Sequence, residues 1–167
     1  TDAGNIGIGF KAGFFNKSFG EDFPDITNDP AIPSDPEEAK TAFDLGFGLF
    51  YKKENLYAGV SAIHVYSSKL KFTAGNNEET DYKLTPTYYI TTGYTIPMSN
   101  PAFELMPSVF VRTDGSVTMV DFNVNVRYNK KVWGGVTYRP GESIVGMMGT
   151  ELFKDVNVGV AYDFTTT

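Results

Sequence analysis

Residues 120–128 read VDFNVNVRY. Side chains alternate across a strand, so Val120, Phe122, Val124, Val126 and Tyr128 share one side, and Asp121, Asn123, Asn125 and Arg127 share the other. One face is wholly apolar and the other wholly polar. The pattern recurs along the chain in segments of about ten residues, the length a tilted strand needs to cross a bilayer. Strands that are apolar outside and polar inside over that length predict an all-β fold, an antiparallel transmembrane outer-membrane β-barrel.

About nine such strands are expected, at 5–14, 42–51, 56–66, 84–96, 103–112, 117–128, 132–139, 144–153 and 156–164. They form one barrel domain over residues 1–167. Short connections at 52–55, 97–102, 129–131 and 154–155 suit periplasmic turns, and the long ones at 15–41 and 67–83 suit outer loops. Segment 15–41 is an acidic, proline-rich outer loop inserted between strands. Glu21, Asp22, Asp25, Asp29, Asp35, Glu37 and Glu38 outweigh Lys17 and Lys40, which supplies most of the formal net charge of -6. Single-chain bacterial barrels have even strand numbers. The chain also ends just after an outward-running strand, and no signal peptide is visible. The expectation is a fragment of a larger barrel with strands missing at both ends.

Composition narrows the function classes. No run of apolar residues is long enough for a transmembrane helix, and a mean hydropathy of -0.20 is what alternating strands average to. Cysteine is absent, so thiol and disulfide chemistry are excluded. No basic patch exists, so nucleic acid is not an expected partner. The aspartates of 15–41 lack the order and central glycine of a calcium-binding EF-hand and are expected to be a solvated loop. Gly7-Gly9 and Gly46-Gly48 lie inside strands with no following helix, which excludes a dinucleotide fingerprint.

Sorting residues by face sharpens the barrel expectation. Ile6, Ile8, Phe10, Phe43, Leu45, Phe47, Leu49, Val60, Ile90, Val109, Val136, Met148, Val158 and Val160 fall outward. The strand charges fall inward: Lys11, Asp44, Glu104, Arg112, Asp121, Arg127, Arg139, Glu151 and Asp163. A charge at a barrel's bilayer midplane costs about 2–4 kcal/mol, which would produce this segregation. Val124→Arg is therefore expected to cost about that much, and Asn123→Arg far less. Tyr51, Tyr66, Tyr128, Tyr138, Tyr162 and Phe164 sit at outward strand ends, as an aromatic girdle would. Inward glycines, among them Gly59, Gly93, Gly135, Gly149 and Gly159, are expected to leave space in the lumen or mark sharp curvature. A soluble sandwich or lipocalin-like barrel also alternates, but strands near ten residues and aromatic ends favour the membrane.

Three groups of residues carry whatever chemistry there is. Glu104, Arg112, Asp121, Arg127, Arg139, Glu151 and Asp163 form a candidate lumen charge network. Its near-balanced signs suit an internal ion-pair network better than a selectivity-lining ring. Lys52, Lys53, Lys130, Lys131 and Lys154 on the short turns are candidate periplasmic contacts to an acidic partner, or anchors at charged headgroups. His64, the lone histidine, falls outward by parity near Ser61, Ser67 and Ser68, where it suits an interfacial rim better than a hydrolase site. No catalytic residue, metal or cofactor is expected.

Several stretches together resemble the PorP/SprF family of type IX secretion outer-membrane proteins of Bacteroidota. FDLGFGLFYKKENLYAGVSAIHV (43–65) resembles its strand–turn–strand with a G-x-S…H element, through Gly59, Ser61 and His64. YYITTGYTIP (88–97) is similar to its H-Y-x-x-T-A-G-Y segment, with Tyr88 where histidine is common. LMPSVFVR (105–112) resembles its L-x-P-S element, and VDFNVNVRYNKKVWGGVTYRPGESIVGMMG (120–149) its D-x-N…W-x-G-x-S-Y-R…G block. VNVGVAYDFT (156–165) resembles its G-Y-x-Y-D motif. Segment 15–41 matches none of it, and the family's N-terminal opening element and closing strand are absent. The resemblance implies a non-enzymatic outer-membrane barrel serving protein secretion, gliding motility or adhesin export. It implies as partners outer-membrane lipid and either periplasmic ring or peptidoglycan-binding lipoproteins, or an exported adhesin. The alternative from the residues alone is a porin-like barrel passing small solutes through a polar lumen.

Overall fold

The computed structural model describes residues 3–18, 39–73, 79–154 and 156–166. Most of the acidic segment, 19–38, lies outside the described residues. Twelve strands follow in chain order: β1 (Asn5–Lys17), β2 (Lys40–Lys53), β3 (Leu56–Ser67), β4 (Leu70–Thr73), β5 (Glu79–Tyr82), β6 (Thr87–Tyr94), β7 (Ile96–Pro97), β8 (Phe103–Thr113), β9 (Thr118–Tyr128), β10 (Val132–Arg139), β11 (Ser143–Phe153) and β12 (Val156–Thr165). The chain divides into two compact units. One holds Thr1–Ile8, Gly48–Ser61 and Tyr88–Thr167, and the other Gly9–Phe47 and Ala62–Thr87.

The long sheet runs β1-β2-β3-β6-β8-β9-β10-β11-β12, with β7 also paired to β8. From β6 to β12 every pairing is antiparallel between neighbours. β8, β9 and β11 each hold 11 residues. At about 3.4 Å per residue and a tilt near 45°, that spans the apolar band of an outer membrane.

The sheet has its apolar side chains outside. Phe122 and Val124 on β9 are 49% and 48% exposed, while Asp121, Asn123, Asn125 and Arg127 between them are each half-buried. A soluble sheet with one packed face does the reverse. Among the described residues the only buried apolar side chains are Ala42, Ala62 and Leu70, whereas Ile8, Val60, Ile90, Val136, Met148, Val160 and many like them stand exposed. Such a surface is stable only against an apolar solvent. The soluble-sandwich alternative has no core here to rest on.

Local chemistry explains where strands stop. The expected strand 84–96 begins at Thr87, directly after Pro86, and breaks at Thr95. β6 pairs β8 down to Gly93↔Ser108, and β7 resumes at Ile96↔Leu105. Opposite the break lies Pro107, which has no N–H to give a ladder. The interruption is thus written in both partners. The turn after β9 closes with Lys131 N–H donating to Tyr128 O at 3.0 Å. Asn129 and Lys130 there adopt φ of 48° and 58°, the paired left-handed geometry of a hairpin turn. After β8, Asp114 Oδ1 accepts from the backbone N–H of Val117 at 2.8 Å and of Ser116 at 2.9 Å. Those two bonds favour the carboxylate and hold Asp114 below the usual acid range. Because the folded-state value is lowered, this capping is fully present above the unfolded-state value of about 3.9 and is lost as pH falls through the lowered one. NMR titration of the Asp114 carboxyl should give a midpoint below that value, and Asp114→Asn should abolish the turn's acid sensitivity.

The second unit corrects one expectation. Residues 67–83 are not a plain outer loop: β4 and β5 form an antiparallel hairpin with Leu70 opposite Tyr82 and Lys71 opposite Asp81. Leu70 and Ala42 are buried, and Phe15 and Tyr82 pack against them. The Phe15 and Tyr82 rings stack at 6.3 Å, and Lys17 Nζ lies 3.6 Å over the Tyr82 ring. Lys69 and Asp81 pair at 2.6 Å. The outer segments of β1 and β2 are correspondingly longer than expected, reaching Lys17 and starting at Lys40.

Candidate functional site

The polar face of β8–β12 is built row by row from the register. Glu104 of β8 lies opposite Arg127 of β9, and their side chains pair at 2.6 Å. Further along, Arg139 of β10 grips Asp121 of β9 in two-bond geometry, Nε to Oδ1 at 2.7 Å and Nη2 to Oδ2 at 3.0 Å. Glu142 accepts from the same guanidinium at 3.2 Å, and Asp163 of β12 lies 4.0 Å from it. The planar fork of arginine matches a carboxylate this way, and lysine would not. A double-mutant cycle over Asp121→Ala and Arg139→Ala should show a coupling of about 1–2 kcal/mol, measured by denaturant unfolding in detergent.

Between the two ion-pair rows runs a ladder of neutral groups. Asn123 Nδ2 donates to Thr137 Oγ1 at 2.7 Å and to the Val136 carbonyl at 3.4 Å. That carbonyl can only accept, so Asn123 must turn its Oδ1 the other way. Asn125 Nδ2 donates to that oxygen at 2.5 Å, and Ser108 Oγ at 3.4 Å. Asn123 is the hub of the ladder. Gly135, opposite Asn125 in register, has no Cβ because one would overlap the Asn125 amide.

Among the inward glycines, Gly9 and Gly13 have open space where a Cβ would stand, but others do not. Several of these are covered by an aromatic ring from another strand of the sheet. A Cβ at Gly149 would meet the Trp133 indole at 2.5 Å, and one at Gly159 would meet it at 3.2 Å. Trp133, Gly149 and Gly159 form one register row across β10, β11 and β12. Tyr57 lies likewise on Gly93, and Phe50 on Gly59. The Phe50 and Tyr57 rings stack at 5.8 Å. Gly59, Gly93, Gly149 and Gly159 are seats for rings, which the expectation of free lumen space missed.

Of the seven expected network residues, the structure brings Glu104, Arg127, Asp121, Arg139 and Asp163 into the two groups above. Arg112 stands apart, with its guanidinium 2.6 Å from Met119 Sδ and no carboxylate bonded to it among the described residues. Glu151 makes no ion pair among the described residues. Of the aromatic ends, Tyr128 packs on Phe103 at 4.8 Å, and Tyr162 on Phe164 at 4.5 Å. Tyr66 and Tyr138 are exposed, and the Tyr51 hydroxyl donates to Ala3 O at 3.2 Å. Lys130, Lys131 and Lys154 are exposed on short turns, and Lys52 and Lys53 are exposed at the end of β2 that leads into one. Those turns are tied edge to edge by Thr95 N–H to Asn55 O, Asn129 N–H to Ala102 O and Glu151 N–H to Lys131 O, at 2.7–2.9 Å.

His64 is not an outward rim residue. Its Nδ1 lies 2.8 Å from Oδ1 of Asp44, a carboxylate only 4% exposed whose other oxygen receives Lys11 Nζ at 3.3 Å. The cause is backbone geometry: His64 has φ 56°, which breaks the alternation of β3 and turns the ring toward Asp44. The strand charges Lys11 and Asp44 were readable from the sequence, but nothing in it announced a left-handed residue at 64. Among the described residues, no cluster of histidine and carboxylates is arranged to hold a metal ion.

Compared with known protein families, residues 1–167 match the model of the type IX secretion system membrane protein PorP/SprF. No curated protein and no solved structure matches the chain.

Proposed function

The chain belongs to the PorP/SprF family of type IX secretion system membrane proteins, and from that premise we propose that it works without catalysis, by binding other components of the apparatus. It is an outer-membrane protein, and its family membership makes it a membrane component of that secretion system. The partners proposed are periplasmic ring or peptidoglycan-binding lipoproteins at the short-turn end, or an exported adhesin. The outward apolar face is proposed to meet lipid, with Tyr51, Tyr66, Tyr128, Tyr138, Tyr162 and Phe164 at its borders.

The observation that carries this reading is how the polar face spends its charges. Arg127 is paired with Glu104, and Arg139 with Asp121 and Glu142. Opposite charges locked to each other brace a wall, whereas a conducting pore is lined by charges left open to ions. His64 commits Nδ1 to Asp44, and no described hydroxyl bonds its other nitrogen, which supports a role outside hydrolysis. Extraction of the full-length protein from native membranes in mild detergent tests the proposal. Copurifying secretion-ring, peptidoglycan-binding or adhesin proteins are the expected result. A barrel that purifies alone and gives salt-dependent single-channel conductance would replace it with a solute pore.

A further inference from the structure

At the short-turn end of the polar face, a cavity of about 360 Å³ opens beside Trp133. Its lining is of three kinds, of which the neutral polar part is Asn125 and Asn157. Arg127, Lys130 and Lys131 supply cations, and Met106, Met147 and the Trp133 indole supply an apolar wall. Glu104 answers the charge of Arg127 at 2.6 Å. No ion pair among the described residues answers Lys130 or Lys131. Glu151 is tied to Lys131 only through the backbone, its N–H donating to Lys131 O at 2.8 Å. The site is built rather than incidental. Gly149 and Gly159 seat the indole flat, and the left-handed turn at Asn129 and Lys130 fixes where the lysines leave the chain.

We propose that this cavity is a docking site for an acidic peptide segment of a partner protein, one that carries carboxylates next to apolar side chains. Charge complementarity selects the anion, because two ammonium groups with no ion pair among the described residues stand at the cavity. The apolar wall selects the neighbour, because a bare anion would leave the indole and both methionines unused. The volume exceeds what one phosphate fills and suits two adjacent side chains. The inference rests on the binding role proposed above and names the partner chemistry at that end.

Trp133 is the one tryptophan of this sequence, so the site carries its own reporter. The full chain in detergent micelles is titrated with acetyl-Glu-Leu-Glu-Leu-amide at low salt, with Trp133→Phe as the emission blank. A saturable change in Trp133 emission is expected, weakened by added salt. The double variant Lys130→Gln/Lys131→Gln should bind at least tenfold more weakly. Lys52→Gln/Lys53→Gln, at the end of β2 and outside the cavity lining, should bind as the parent does. Absence of a saturable change overturns the proposal. So does an equal response to acetyl-Gln-Leu-Gln-Leu-amide, which would mean apolar contact alone, or to inorganic phosphate, which would mean a simple anion site. Circular dichroism of the lysine variants guards against misfolding. Failure here leaves copurification untouched, so the pocket and the general binding role fall separately.

Discussion

Val124→Arg should prevent assembly into membranes, or cost about 2–4 kcal/mol where it assembles. Val124 lies mid-strand in β9, 48% exposed, between Pro107 of β8 and Val136 of β10. No carboxylate shares that face of the strand, so with this face against lipid, as proposed, the guanidinium would stand in hydrocarbon unpaired. The matched control is Asn157→Arg on the polar face of β12, opposite Glu151 in register and among the residues lining the cavity beside Trp133. There the new cation meets a carboxylate that has no ion pair among the described residues, and stability should stay within about 0.5 kcal/mol. Folding into lipid vesicles, followed by denaturant titration, measures both. Asn123 is the wrong control, although its place on the polar face suggests a mild effect for Asn123→Arg. It donates to Thr137 and Val136 and accepts from Asn125 and Ser108, so replacing it dismantles the ladder.

Gly149→Val should be strongly damaging on the polar face, at about 2–3 kcal/mol. A Cβ there meets the Trp133 ring at 2.5 Å on one side and the Val158 carbonyl at 2.7 Å on the other. The indole can tilt away, but the carbonyl belongs to the β12 backbone and cannot. Gly146 sits in the same strand with nothing within 4 Å of its Cβ position, so Gly146→Ala should be near neutral. Loss of the indole's seat in Gly149→Val should also red-shift Trp133 emission as water reaches the ring. Equal stability of the two variants would mean that the ring does not lie on the glycine.

These effects show which parts of the molecule its residues announce. The faces of β9 follow from VDFNVNVRY, because period-two alternation is a property of the extended chain itself. The turn at 129–131 and the interruption near Pro107 are local too, since they depend on a few neighbouring residues and a missing N–H. What escaped the sequence depends on register between strands. Glycines at 93, 149 and 159 look like gaps until the pairing puts Tyr57 and Trp133 on top of them. Arg112 and Arg139 look alike, yet one finds Met119 opposite it and the other finds Asp121. His64 escaped for another reason. A single residue at φ 56° reverses a parity count, and histidine gives no advance sign of adopting it. The β4–β5 hairpin was hidden because its strands hold only four residues each, the shortest length at which alternation can be read.

The central claim is that the apolar face of this sheet meets lipid and the polar face does not. The chain has no cysteine, so single cysteines at each position from 120 to 128 can be spin-labelled without background. Collision rates with oxygen, which concentrates in hydrocarbon, and with a nickel chelate, which stays in water, are then compared in lipid vesicles. The account predicts a period of two, with oxygen dominant at 120, 122, 124 and 126 and the chelate or a protected signal at 121, 123, 125 and 127. An alternation of opposite phase, or none, would contradict it.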